Sequence, residues 1–310
     1  GGLVGGCNHG VERRRLMATT IWSGLAVGAI YALVAVGYNV VLLASGVFNF
    51  AHAQLIMLGA YMAYVGATTL GLPVVLIVLV SAAVVAVTAV VEERVAIRPL
   101  MTGRRDAHAT LITSVGTAVI IDGVVLRIWG GNPKTVRSPV GDHTLHLFGG
   151  TVQENDLVLI CIVVAVGLGL HLWSRHTLTG LASLASAEDR DAAMARGVNV
   201  RLLAIGAFLV AGFIAGAFGM LVASKLYANP GIGDTIALFG FVAIAIGGSG
   251  SQVGGLIGGF STGIIFALAE RYGGARTGAD WANIIVFAVF LFILFTRPRG
   301  LFGGVVERQV

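Results

Sequence analysis

Charge is what this chain has least of. Asp, Glu, Lys and Arg make up 11% of its 310 residues, 56% are hydrophobic, and the mean hydropathy is +0.90. Soluble domains carry about 25% charged residues, so a water-soluble globule of this composition is excluded. Lysine is rarer still: only Lys134 and Lys225 accompany 18 arginines. A phosphate-cradling loop needs Gly-x-x-x-x-Gly-Lys-Ser/Thr, whose lysine reaches the phosphates. Neither lysine stands in that setting, so this chain is not an ATPase by that route. Cysteine is nearly absent too. Cys7 and Cys161 are far apart, the second inside an apolar run, and offer neither a disulfide framework nor metal-ligand spacing.

What fills the space is uncharged chain. Residues 18–44, 72–91, 202–224 and 235–269 contain no Asp, Glu, Lys or Arg. About 20 helical residues cross the hydrocarbon of a bilayer, and each of the first three runs is that long. A membrane barrel would instead alternate in segments of about ten residues, and these runs do not. Nine apolar segments can be marked, near 18–44, 53–70, 72–91, 108–129, 157–173, 202–224, 235–247, 253–269 and 282–296. The reading is an all-α polytopic bundle of about eight spans with broken or re-entrant helices. Residues 17–310 read as one transmembrane domain, and 1–16 as an extension of uncertain origin. Arg13, Arg14 and Arg15 followed by an apolar run resemble a signal peptide, but the run is long, so an uncleaved first span fits better.

The basic balance, +5, reflects arginine held on the cytoplasmic side rather than nucleic-acid binding. With 92–107, 174–201 and the C-terminal tail inside, that face holds eleven of the twenty basic residues, and the outer loops 130–156, 225–234 and 270–281 hold five. Arg127 belongs to the outer interface. If residue 15 and residue 92 are both inside, three spans do not fit between them. Either the N-terminus lies outside, or a segment between 18 and 70 is re-entrant. In the outer loop 130–156, residues His143 to Phe148 alternate as a short hairpin strand would.

Loop 174–201 is the most informative stretch. Ser186-Ala187-Glu188-Asp189 reads as a capping box, Ala192, Ala193 and Ala195 favour helix, and Gly197 suits the left-handed residue that closes one. About three turns of polar helix on the cytoplasmic face are expected. The bland reading is a solvated linker helix. Against it stands the pattern Asp191-Ala192-Ala193 with Gly197, which resembles the EAA loop of ABC importer permeases with Asp for the usual Glu. Four further stretches resemble the branched-chain amino-acid permease family: Val47 to His52 running to Gly59-Ala60-Tyr61; Glu93 to Leu100; Ala245 to Ser251 through Gly258-Gly259; and Arg297 to Gly303. The resemblance covers roughly residues 25–303.

It implies a permease subunit of an importer in a bacterial inner membrane, with branched-chain or related amino acids as solute. Glu188, Asp189, Asp191, Ala192, Ala193, Met194, Arg196 and Gly197 would form the coupling helix that seats in an ATP-binding subunit. It also implies a second permease, identical or homologous, and an extracytoplasmic solute-binding protein. No cofactor is expected on this chain: ATP and magnesium would sit on the partner ATPase, and no covalent chemistry occurs here. The competing class is an ion-coupled secondary transporter using Asp122 and His52. A passive channel would have no use for a coupling helix.

Candidate pathway residues are Asn49, His52, Gln54, Ser249 and Gln252. Irregular backbone at membrane depth survives only inside protein or beside a cavity, and Ser45, Gly46, Asn49, His52 and Gln54 crowd polar groups around such a break. A helix-ending turn capped by Asn49 and His52 explains the same residues. Gly247 to Gly255 splits a long uncharged run, as broken helices around a binding site do; a tight cytoplasmic turn is the preferred alternative. Asp122, the sole acid well inside an apolar segment, would hold a substrate ammonium or relay protons, or pair with Arg127, which is preferred. His108, Arg104 and Arg105 read as boundary residues.

Overall fold

The structure, a computed structural model, describes residues 6–101, 107–141, 143–273, 278–297 and 300–302. Arg104, Arg105, Arg299 and Arg308 lie outside them. Twelve helices follow in order: α1 (Gly6–Ser45), α2 (His52–Tyr64), α3 (Val74–Glu92), α4 (Arg98–Met101), α5 (Ala107–Trp129), α6 (Glu154–His176), α7 (Leu178–Glu188), α8 (Arg190–Ala195), α9 (Val200–Leu226), α10 (Ile232–Gly247), α11 (Gln252–Tyr272) and α12 (Gly278–Thr296). Single π-helical turns extend α2 over Val65–Thr69 and join α3 to α4 over Glu93–Ile97. A hairpin, β1 (Thr144–Leu147) and β2 (Gly150–Gln153), precedes α6. The chain is thus an all-α polytopic membrane bundle. Among the described residues, six helices are long and apolar enough to cross a bilayer, and α10 and α12 are shorter apolar helices.

Segment limits follow the expected chemistry. Thr177, Asp189, Asn199 and Ser251 each precede a helix, and each side-chain oxygen accepts an amide hydrogen from its first turn. Such caps satisfy donors that a helix leaves unpaired. At the hairpin, Phe148 and Gly149 both take positive φ, 51° and 78°, the backbone a two-residue turn needs.

Helix α1 is the hub. Of its apolar window 83% is buried, against 28% for α5 and 22% for α6, so the last two turn most of their surface outward. The hub packs most extensively on α11. Gly24, Gly28, Gly259 and Gly263 line that crossing, where an added Cβ would strike the opposite backbone; small residues let helices approach this closely where lipid supplies no hydrophobic drive.

The contacts sort the loops into two ends. At one, the hairpin lies on the start of α1: Trp22 Nε1 donates to Leu147 O at 3.3 Å and Thr151 N to Thr19 Oγ1 at 3.1 Å. Arg271 reaches Thr20 there as well, and Lys134 pairs by backbone with Ala228. At the other end, Leu42, Arg175, Glu188, Ser249 and Phe302 border one cavity. Residues 13–15 therefore sit at the hairpin end, opposite loop 174–201. The parity question is answered by α1 starting at the hairpin end, on the far side from that loop, and a short, broken α2 accompanies it.

Candidate functional site

The polar loop does not fold as expected from its cap. Ser186 is inside α7, with its Oγ buried and unpaired, so no capping box forms there. The chain breaks instead at Asp189 (φ −147°). Its Oδ1 accepts from Ala192 N at 3.0 Å and starts α8, which is six residues long rather than three turns. Asp189 won because its side chain, at the break itself, reaches an exposed amide of α8 that Ser186, inside α7, cannot. The other terminus matches expectation. Gly197 takes φ +85°, Gly197 N donates to Met194 O and Val198 N to Ala193 O, the paired bonds of a glycine-closed helix. Glu188, Asp189, Asp191, Ala192, Met194 and Arg196 are exposed; Ala193 alone is buried, under the loop. The result is a short, doubly capped lever presenting acid, methyl and thioether groups outward.

The broken segment is more deeply set. His52 opens α2, and its imidazole packs on Gly37 of α1, where any Cβ would overlap the ring. Gly37 lies eight residues before the end of α1, a depth of about 12 Å at 1.5 Å per residue. Residues 46–51 therefore fold back beside α1. Their backbone is satisfied by neighbouring side chains: Val47 N donates to Ser45 Oγ, Ala51 N to Asn49 Oδ1 and Phe50 N to Ser114 Oγ. Phe48, Phe50, Tyr38 and Phe241 clamp the segment with ring centroids 4.5–6.3 Å apart. Asn49 closes a local turn onto Ala51 N but caps no amide inside α2, and His52 caps nothing: both its ring nitrogens are buried without partners among the described residues.

Acidic side chains gather round this segment, and sequence reading missed most of them. Gln54, 2% exposed, donates from Nε2 to Asp234 Oδ1 of α10 at 2.9 Å. Asp122 of α5 stands beside Gln54 and within electrostatic reach of Asp234. It makes no ion pair with Arg127 among the described residues, so the expected pairing is overturned; a separation of five along a helix turns the two side chains about 140° apart. Glu92, assigned from sequence to a polar connection, is 5% exposed beside Asn49, with neither oxygen completing a hydrogen bond among the described residues. Glu93 is also buried, paired with Arg98 at 2.7 Å. The missed signal was position: α3 runs to Glu92 and the π turn carries the helix on through Glu93, so both acids belong to the helix rather than to a loop.

Ser249 and Gln252 do not join these residues. Helices α10 and α11 form an antiparallel pair, and 248–251 is the tight turn between them, as preferred. Leu301 N and Phe302 N donate to the carbonyls of Ile246 and Gly247, closing the helix end. Beneath the turn, a cavity of about 450 Å³ is bordered by Ser249, Gln252, Arg175 and Glu188. It opens beside the polar loop, on the other end of the bundle from Gln54.

The chain is 27% identical over 296 residues to the high-affinity branched-chain amino acid transport system permease protein BraD of Pseudomonas aeruginosa, covering 91% of this chain and 94% of that protein. It is 27% identical over 298 residues to LivH of Escherichia coli, a permease protein of the same description, with the same coverage. A probable branched-chain amino acid transport permease protein LivH of Methanocaldococcus jannaschii is 25% identical over 306 residues, 94% of this chain and 93% of that one. A chain of PsaBC from Streptococcus pneumoniae, solved in complex with Fab, aligns at 12% identity over 89% of this chain and 91% of that one, with a TM-score of 0.47. The family described as branched-chain amino acid transport system / permease component matches residues 20–294. This chain belongs to that family.

Proposed function

We infer that the chain is the membrane-spanning permease subunit of an ATP-binding-cassette importer for branched-chain or related amino acids. The observation that carries the reading is the combination of family membership over 20–294 with a short, capped, outward-facing helix at one end of the bundle. In this reading Glu188, Asp189, Asp191, Ala192, Met194, Arg196 and Gly197 couple the bundle to ATP-binding subunits, and Ala193 seats the lever on the bundle. ATP and magnesium reside on those subunits. A second permease, identical or homologous, completes the pathway, and an extracytoplasmic binding protein delivers solute at the hairpin end. Asn49, His52 and Gln54 border the route. Ser249 and Gln252 border its exit beside the lever.

The test is reconstitution. Proteoliposomes holding the chain with its ATP-binding subunits accumulate radiolabelled L-leucine when ATP and loaded binding protein are supplied, and do not when either is withheld. Uptake by this chain alone, driven by an ion gradient, overturns the reading.

A further inference from the structure

Three polar groups from three helices meet at Gln54. The amide is 2% exposed, its Nε2 donates to Asp234 with Asp122 also within hydrogen-bonding reach of the side chain, and its Oε1 has no partner among the described residues. Asp122 adds a second carboxylate, whose buried Oδ1 is also unpartnered. Asp122 lies seven residues before the end of α5, about 10 Å inside the helix end, and Asp234 is in the first turn of α10.

Among the described residues, no basic side chain forms an ion pair with Asp122 or Asp234: the nearby Lys225 is bound to Asp156 at 2.6 Å, and Lys134 lies over the Tyr64 ring at 5.9 Å. Asp234 is exposed and Asp122 half-buried, so both carboxylates are open to an arriving cation, beside a buried Gln54 Oε1 that lacks a partner among the described residues. A primary ammonium carries three donors and no acceptor. The acceptors here come from Asp122, Gln54 and Asp234, one helix each.

We propose that Gln54, Asp122 and Asp234 bind the ammonium group of the transported amino acid on its way through the bundle. The proposal rests on the importer reading above. It makes the membrane chain itself a selector for solutes that carry an amine. Apolar side chains of differing shape are tolerated, because the recognised group is common to all of them. The desaminated 2-oxo acid of the same carbon skeleton is refused.

The experiment uses the complete transporter in proteoliposomes, with L-leucine and 4-methyl-2-oxopentanoate as probes. Asp122→Asn and Asp234→Asn each lower leucine uptake about tenfold or more, as expected for loss of a charge-assisted contact. ATP hydrolysis by the purified variant complexes persists, and Asp122→Glu restores part of the uptake. A structural role would move neither the leucine-to-oxo-acid ratio nor the rescue by Glu. Leucine uptake unchanged in both Asn variants, or no rescue by Glu, overturns the site while leaving the importer reading intact. Wild-type transporter that moves no α-amino acid overturns both.

Discussion

Asn39, six residues before the end of α1, holds the turn between α10 and α11 from both sides. Its Oδ1 accepts from Gly250 N at 2.8 Å, and its Nδ2 donates to Ser251 O at 2.9 Å. The side chain is fully buried in the hub helix. One amide thus ties the hub to the turn beside the lever. Asn39→Leu keeps the volume and strands both backbone groups, at a cost of about 1–3 kcal/mol. Thermal unfolding in detergent should shift down by several degrees. Asn39→Asp, which keeps the acceptor and loses the donor, should also destabilise, since it places a charge where an amide was.

Gly37 and His52 occupy the same volume. Gly37→Ala should destabilise by about 1–3 kcal/mol through overpacking, because the added methyl meets the imidazole rather than open space. In a His52→Ala background the same change should be nearly neutral. A double-mutant cycle on thermal stability measures the coupling; a Gly37→Ala cost that is equal in both backgrounds would place the strain elsewhere.

Lys225 and Asp156 join the end of α9 to the start of α6 at 2.6 Å, with side chains 18% and 5% exposed. Lys225→Met leaves Asp156 buried and uncompensated, at a cost of about 2–4 kcal/mol. Removing both charges in Lys225→Met/Asp156→Leu should cost less than the single change. Unfolding midpoints of the three variants give the order directly.

Asp189 and Gly197 close the two ends of α8. Asp189→Ala removes the cap, about 1 kcal/mol of local helix stability. Gly197→Val forces a β-branched residue to φ +85°, at about 1–2 kcal/mol, while Gly197→Asn should be tolerated. The global fold is untouched because α8 is exposed. Leucine moved per ATP hydrolysed should fall for Asp189→Ala and Gly197→Val, with ATP turnover retained. A preserved ratio would remove the lever from the coupling path.

Much of this was legible along the chain, and the misses share a cause. Spans, the hairpin, the left-handed Gly197 and the family motifs are local or periodic features. Ser186 failed as a cap because α7 packs on α1 and runs through it, a tertiary override of a four-residue pattern. Asp234, placed by sequence in an outer loop, and Glu92, placed in a connection, turned out to face the same broken segment. Their partners lie far away in sequence: Gln54 and Asp234 are 180 residues apart.

Composition alone determined that this protein lives in a membrane, because uncharged runs of that length have no other stable solvent. Helix limits were set locally as well, by Thr, Asp, Asn and Ser at positions where free amides need an oxygen. Only the tertiary structure decided which end of α1 faces the lever, how far residues 46–51 fold back inside, and which carboxylates meet. Those depend on which helix faces pack together, and in apolar segments with so little amphipathic pattern the chain carries no mark of that choice.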